Sequence, residues 1–174
     1  TPVFIKHQFR NDIKTNLAKY SAKFYELVTS LINNPTKPQF FFTPLVNGAG
    51  GAIFLGCILE VFDFAQALGV SSKPLTRYAI ITGEKRSGVQ RNKLLELFNL
   101  KENRDGSIIK ALIGTSTLGV GVNLLNVQEE QVISPYWNNS TTEQAIGRGF
   151  RSNSLSFLPK KDKIIRVAQL AINS

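Results

Sequence analysis

At 174 residues and 43% hydrophobic content, the chain suits one domain with a full-sized core. It has no apolar run of the roughly 18 residues a membrane helix needs. A single cysteine, Cys57, excludes an internal disulfide, and a single histidine, His7, without a Cys/His cluster predicts no metal site. The net charge of +9 favours polyanionic partners, nucleic acid above all.

Residues 1–16 are mixed and basic and read as an N-terminal extension or linker, with the domain proper over 17–174. "TPVFIKHQFR" lacks the apolar centre of a signal peptide. A chain that begins at Thr1 and contains no Met reads as a fragment of a larger protein. From Leu17, the residues Leu17, Tyr20, Phe24, Leu27, Val28 and Leu31 fall at helical spacing, and "NNPTKP" ends that helix. "QFFFTPLV" predicts a short buried strand stopped by Pro44. "NGAGG" follows, then a helix across "AIFLGCILEVFDFAQALG" with Gly69 as its C-cap. Cys57 lies in this apolar run and reads as a buried small hydrophobe.

"RYAIITG" predicts a strand, and "SGVQRNKLLELFNL" a helix with Leu94, Leu95 and Phe98 inward. "KENRDG" is a polar loop. "IIKALIGT" predicts a strand apolar enough to be buried on both faces, and "EEQVISP" another. "STTEQAIGRGF" reads as a short helix capped by Ser140 or Thr141, with Glu143 in its first turn. "DKIIRVAQLAI" is the last strand. Strands alternating with helices imply an α/β fold, a mostly parallel, doubly wound sheet with helices on both faces. Ligands of such sheets sit at the carboxyl ends of the strands.

Four segments carry chemistry. "NGAGG" lacks the Lys-Ser/Thr of a phosphate loop, so it reads as a tight strand-to-helix turn. Its helix-start N–H groups could still meet a phosphate. In "GTSTLGVGVNLLN", Thr115, Ser116 and Thr117 offer hydroxyls, and Gly119 and Gly121 permit close backbone approach; small donors at a strand end suit a phosphodiester, while an ordinary capped loop stays open. Trp137 in "SPYWNNSTTEQ" reads as edge packing or as an aromatic plate near a ligand. "TTEQAIGRGFRSNS" sets Gln144, Gly147, Arg148 and Arg151 at Q-x-x-G-R-x-x-R. The two arginines share one helical face with no acid following, so that face needs an anion. Gly147 inside the helical pattern costs up to about 1 kcal/mol relative to Ala and points to close approach of another backbone.

In this order, the segments resemble the C-terminal RecA-like domain of superfamily two helicases and translocases, over roughly Tyr20 to the end. "QAIGRGFR" is similar to motif six of that family, "GTSTLGVGVNLLN" to motif five and "QFFFTPLV" to motif four. "SPYWNN" is similar to the D-P-x-W-N-P element of Swi/Snf-type translocases, with Ser134 replacing the acid. "ITGEKRSGVQRNKLLELFN" resembles the segment with an apolar-Gly pair, an arginine and then Phe-Asn. "YSAKFYELVTSLI" is similar to the helix before the domain. The "NGAGG" insertion and "RSNSLSFLP" look most like helicase-type proteins of large cytoplasmic DNA viruses, among them the poxvirus early transcription factor subunit and its relatives in African swine fever virus.

The resemblance implies roles. Arg151 would be an arginine finger toward the γ-phosphate of ATP held on a first RecA-like lobe. Such a finger is worth about 10³ to 10⁵ in rate. Arg148 would support the phosphates or couple them to motif five, and Gln144 would position the nucleotide or the water. Gly119 and Gly121 would shape the motif five loop, Gly147 would admit the nucleotide side, and Asn123, where many members carry an acid, would bridge the loop to it. Thr43, Gly83, Thr115 and Ser116 would meet the nucleic-acid backbone. ATP and Mg²⁺ would be bound mainly by an N-terminal RecA-like lobe, since this chain has no Walker A lysine or D-E-x-H acid pair, and by itself should not hydrolyse ATP. The partners implied are DNA or RNA, that lobe and transcription machinery, with no membrane. The location implied is intracellular and, for a viral protein, the host cytoplasm and the virion. The competing expectation is a catalytically degenerate helicase-fold scaffold in a viral transcription complex. A dinucleotide or nucleotide-sugar enzyme lacks its glycine fingerprint here.

Overall fold

The computed structural model describes residues 4–69, 76–82, 88–118, 122–133, 157 and 166–169. Its centre is β1 (Gln39–Phe42), a four-residue strand buried throughout. Three consecutive phenylalanines suit it because a strand covered on both faces has no solvent side. Phe40 and Phe42 face one layer and Phe41 the other, by the two-residue alternation of a strand.

Around β1 lie β2 (Phe64–Gln66), β3 (Thr76–Ile81), β4 (Ala111–Gly114), β5 (Glu129–Val132) and β6 (Arg166–Gln169). The order across the sheet is β2-β3-β4-β1-β5-β6, with every pairing parallel. The helices α1 (His7–Tyr20), α2 (Ala22–Asn33) and α3 (Ala52–Val61) supply one layer; Leu27, Leu31, Leu55 and Leu59 pack there on Phe41 and Ile113. The fourth helix, α4 (Gly88–Asn99), covers the opposite face, where Phe98 packs with Phe40, Phe42 and Leu112. Leu94 and Leu95 join that layer as expected. The doubly wound α/β reading therefore holds. Cys57 is buried within α3.

Three local readings are corrected. The helix expected from Leu17 through Leu31 is two helices. Ser21 is extended (φ −159°, ψ 110°) and its hydroxyl accepts the Phe24 N–H, capping α2. A serine that can satisfy an orphan amide favours a new start over continuation. The break swings Tyr20 outward, so it is 63% exposed rather than inward-facing. α1 runs from His7 to Tyr20, across the boundary expected after residue 16, with a kink at Asn16 (φ −119°, ψ 25°).

The helix expected to run to Gly69 stops at Val61. Asp63 takes a left-handed conformation (φ 66°), which Asp tolerates better than most residues. The chain then re-enters as β2, pairing Phe64–Gln66 with Thr76–Tyr78. Gly69 donates its N–H to the Gln66 carbonyl in a turn instead of capping a helix. The polar "KENRDG" is a 3-10 turn over Lys101–Asp105, organised by a fully buried Asn103.

A polar layer closes the amino ends of the central strands. The Ser30 hydroxyl lies between Gln39 and the buried Glu129 carboxylate. The Lys110 ammonium, buried beside them, donates to the Asn34 and Lys37 carbonyls after α2. Tyr78 donates to Glu60 at 2.7 Å, and burial followed by that bond pushes its hydroxyl pKa well up. No described helix is long and apolar enough to cross a membrane.

Candidate nucleic-acid interface

The carboxyl ends of β1, β3 and β4 lie side by side, because β1 and β3 both pair with β4. The ladder continues one residue further: the Thr43 N–H donates to the Gly114 carbonyl at 3.1 Å and the Thr115 N–H to the Ile81 carbonyl at 3.2 Å. Thr43 and Thr115 thus stand as neighbours at the top of the sheet, one residue past the pair Phe42–Gly114.

Thr43 is fully buried, donating to the Gly50 carbonyl at 2.9 Å and accepting the Leu45 N–H at 3.3 Å. Its hydroxyl holds the following turn together. Thr115 is also buried, and its carbonyl accepts the Leu118 N–H at 2.9 Å. Ser116 is exposed at the start of the short 3-10 turn Ser116–Leu118. Of the hydroxyls assigned to a strand, Ser116 is the described one facing solvent.

The "NGAGG" segment is the tight turn expected. Gly48 has φ 83°, and a Cβ on Gly51 would lie 2.5 Å from the Asn47 carbonyl oxygen. Phosphate binding at the start of α3 does not fit, because the Ala52 and Ile53 N–H groups already donate to the Leu45 and Val46 carbonyls. A helix start with its first amides satisfied offers little to an anion.

Asn123 is exposed, while Leu124 is buried in the α4 layer. Two side chains of α4 reach this segment. Arg91 donates to the Leu118 carbonyl at 2.8 Å, and the Asn99 amide donates to the Asn123 carbonyl at 2.9 Å. The arginine and the Phe-Asn pair were legible in the sequence, but their partners, 27 and 24 residues away, were not. A cavity of about 340 Å³ opens beside Arg91, lined also by Gln66, Thr82, Gln90 and Leu94 among others. Among the described residues no three His, Cys, Asp or Glu side chains converge as metal ligands.

Gly83, Gly119, Gly121, Trp137, Gln144, Gly147, Arg148 and Arg151 lie outside the described residues, as do the expected caps Ser140 and Thr141.

A parallel sheet clad on both faces, with hydroxyl-bearing turns at the carboxyl ends of its central strands, is the architecture of a RecA-like lobe. The solved C-terminal part of the Fun30 ATPase domain has the same fold, with a TM-score of 0.62 over 97% of this chain and 49% of that one at 16% identity. The model of the helicase conserved C-terminal domain matches residues 54–153, and the chain belongs to that family. It is 35% identical over 162 residues to the candidate helicase 087L of Invertebrate iridescent virus 3, covering 91% of this chain and 16% of that protein. It is 31% identical over 113 residues to the termination factor NPH-I homolog of African swine fever virus, covering 62% of this chain and 16% of that protein. The resemblance to helicase-type proteins of large DNA viruses therefore holds. The chain spans about one sixth of the length of these relatives.

Proposed function

We propose that the chain is the C-terminal lobe of an ATP-dependent nucleic-acid helicase or translocase, the part that supplies an arginine finger and some of the nucleic-acid backbone site. The observation that carries the reading is the exposed Ser116 and Asn123 flanking one loop at the carboxyl end of β4, in a +9 chain of the helicase C-terminal family. Backbone binding by small donors and net positive charge needs no base contacts and suits a motor that steps along any sequence.

In this reading Arg151 reaches the γ-phosphate of ATP on a separate RecA-like lobe. Phosphoryl transfer is accelerated mainly by positioning and by neutralising charge on the γ-oxygens, which a guanidinium does without a proton transfer. Arg148 and Gln144 orient the phosphates and the attacking water. Gly147 admits the nucleotide side, and Gly119, Gly121 and Asn123 couple it to the strand. Ser116 and the backbone near Thr115 and Gly83 hold the nucleic acid, with Thr43 fixing the turn beneath. ATP and Mg²⁺ sit mainly on the other lobe, so this chain alone does not turn over ATP. Hydrolysis then opens and closes the two lobes. The domain proper is residues 17–174, with the preceding basic segment as an extension packed on it through Ile5 and Ile13, and the protein works inside the cell, in the host cytoplasm for a viral parent.

The test is nucleic-acid-stimulated ATPase turnover of the full-length parent, wild type against Arg151→Ala. The expected result is a fall of about 10² or more in turnover with ATP binding kept. Unchanged turnover would remove Arg151 as the finger. A second reading is favoured by the African swine fever virus relative, a termination factor homolog. There the lobe is a non-catalytic scaffold in a transcription complex, and a wild-type parent without turnover would support it.

A further inference from the structure

α4 meets the segment after β4 at two points. Near its amino end, Arg91 donates through Nη2 to the Leu118 carbonyl. At its carboxyl end, the Asn99 amide donates to the Asn123 carbonyl and its oxygen accepts the Leu125 N–H, both at 2.9 Å. The two side chains are eight residues apart, about 12 Å along the helix axis.

Each contact does something an apolar residue there would not. Asn99 addresses a C=O and an N–H two residues apart, so a one-residue slip of the loop breaks both bonds. Arg91 brings a guanidinium into a half-buried place, where its Nε is shielded from solvent and has no hydrogen-bond partner among the described residues. Packing alone would not call for that donor. Leu118 and Leu124, both fully buried against the same layer as Phe98, hold the apolar side of the two flanks. Arg91 also lines the cavity at the end of β3 beside Thr82 and Gln90.

We infer that Arg91 and Asn99 are positioning residues. They splint Leu118 and Asn123–Leu125 to one rigid helix, so that the position of α4 and the β3 end sets the position of these two flanks. The inference rests on the helicase-lobe reading, in which the loop between them couples the nucleic-acid strand to the nucleotide. Neither side chain touches substrate; both act through the backbone they hold.

The experiment uses the full-length parent with single-stranded DNA and RNA as probes. Turnover, ATP KM, melting midpoint and amide hydrogen exchange at Leu125 are measured for Arg91→Ala, Asn99→Ala, Arg91→Lys and Lys93→Ala. Arg91→Ala and Asn99→Ala are expected to lower stimulated turnover about tenfold with little change in ATP KM. The Leu125 amide exchanges faster in Asn99→Ala. Arg91→Lys keeps a donor for the Leu118 carbonyl and recovers much of the rate. Lys93, exposed on the same helix, changes nothing when truncated. Wild-type turnover matched by both alanine variants overturns the inference alone. A loss of turnover that tracks a lowered melting midpoint, with Leu125 exchange unaltered, also overturns it. A wild-type parent with no stimulated turnover overturns the helicase reading, and this inference with it.

Discussion

The Thr43 hydroxyl donates to the Gly50 carbonyl at 2.9 Å across seven residues, and this one bond closes the turn that launches α3. The turn is tied to the sheet top by the Thr43 N–H on Gly114 and to the helix by the Leu45 and Val46 carbonyls on the first α3 amides. Loss of the hydroxyl leaves the Gly50 carbonyl and the Leu45 N–H without their partner. Thr43→Val, which keeps the shape, should destabilise the domain by about 1–2 kcal/mol, and Thr43→Ser by much less. Chemical denaturation midpoints at constant slope would check it; equal loss in both variants would assign the effect to the methyl instead.

Gly51 makes a second, sharper demand on the same turn. An added Cβ would meet backbone atoms of Asn47 and Val46 at 2.5–2.6 Å, and backbone cannot rotate aside as a side-chain tip can. Gly51→Ala is expected to lose about 1–3 kcal/mol of stability, the range of an overpacked site. Gly48→Ala, with open space but φ 83°, should lose less, about 1 kcal/mol. Thermal melts of the two variants side by side read the difference.

Asn103 satisfies four backbone groups at once. Its amide donates to the Phe98 and Ile109 carbonyls, and its oxygen accepts the Ile108 and Ile109 N–H groups. It thereby joins the end of α4 to the start of β4. Asn103→Ala would orphan groups in a dry environment, and a loss of about 2–4 kcal/mol is expected. Asn103→Asp keeps the acceptor but turns a carboxylate oxygen toward two carbonyls, so it should rescue little. Equilibrium unfolding monitored by circular dichroism separates the two.

Lys110 gives the fold a pH dependence. Burial lowers its pKa to about 8 from the ordinary 10.5, with nearby Glu129 and Asp105 opposing the shift. Between these values the unfolded chain carries more of the proton than the folded one. Stability therefore rises with pH across the window from about 8 to 10.5, with a slope of up to about 1.4 kcal/mol per pH unit. Below pH 8 both states hold the proton and this contribution is flat. Denaturation midpoints from pH 7 to 10.5 should show the rise in wild type and its absence in Lys110→Met; an identical rise in both would refute the assignment.

Alternating apolar segments and glycine-bearing turns were enough to read a parallel doubly wound sheet. Burial on both faces demands continuous apolar runs such as Phe40–Phe42 and Ala111–Ile113, and those are local in the chain. The Q-x-x-G-R-x-x-R and Thr-Ser-Thr segments likewise pointed to a helicase C-terminal lobe, because their chemistry is written in adjacent residues. Tertiary structure alone decided the rest. Phe64–Gln66 became a strand because β3 lay beside it, although its apolar character equally suited a longer helix. Thr43 turned its hydroxyl to Gly50, and Arg91 and Asn99 found Leu118 and Asn123, because the sheet order places β1, β3 and β4 together. A side chain's pattern encodes how deeply it is buried, whereas its hydrogen-bond partner depends on which distant backbone the fold brings within 3 Å.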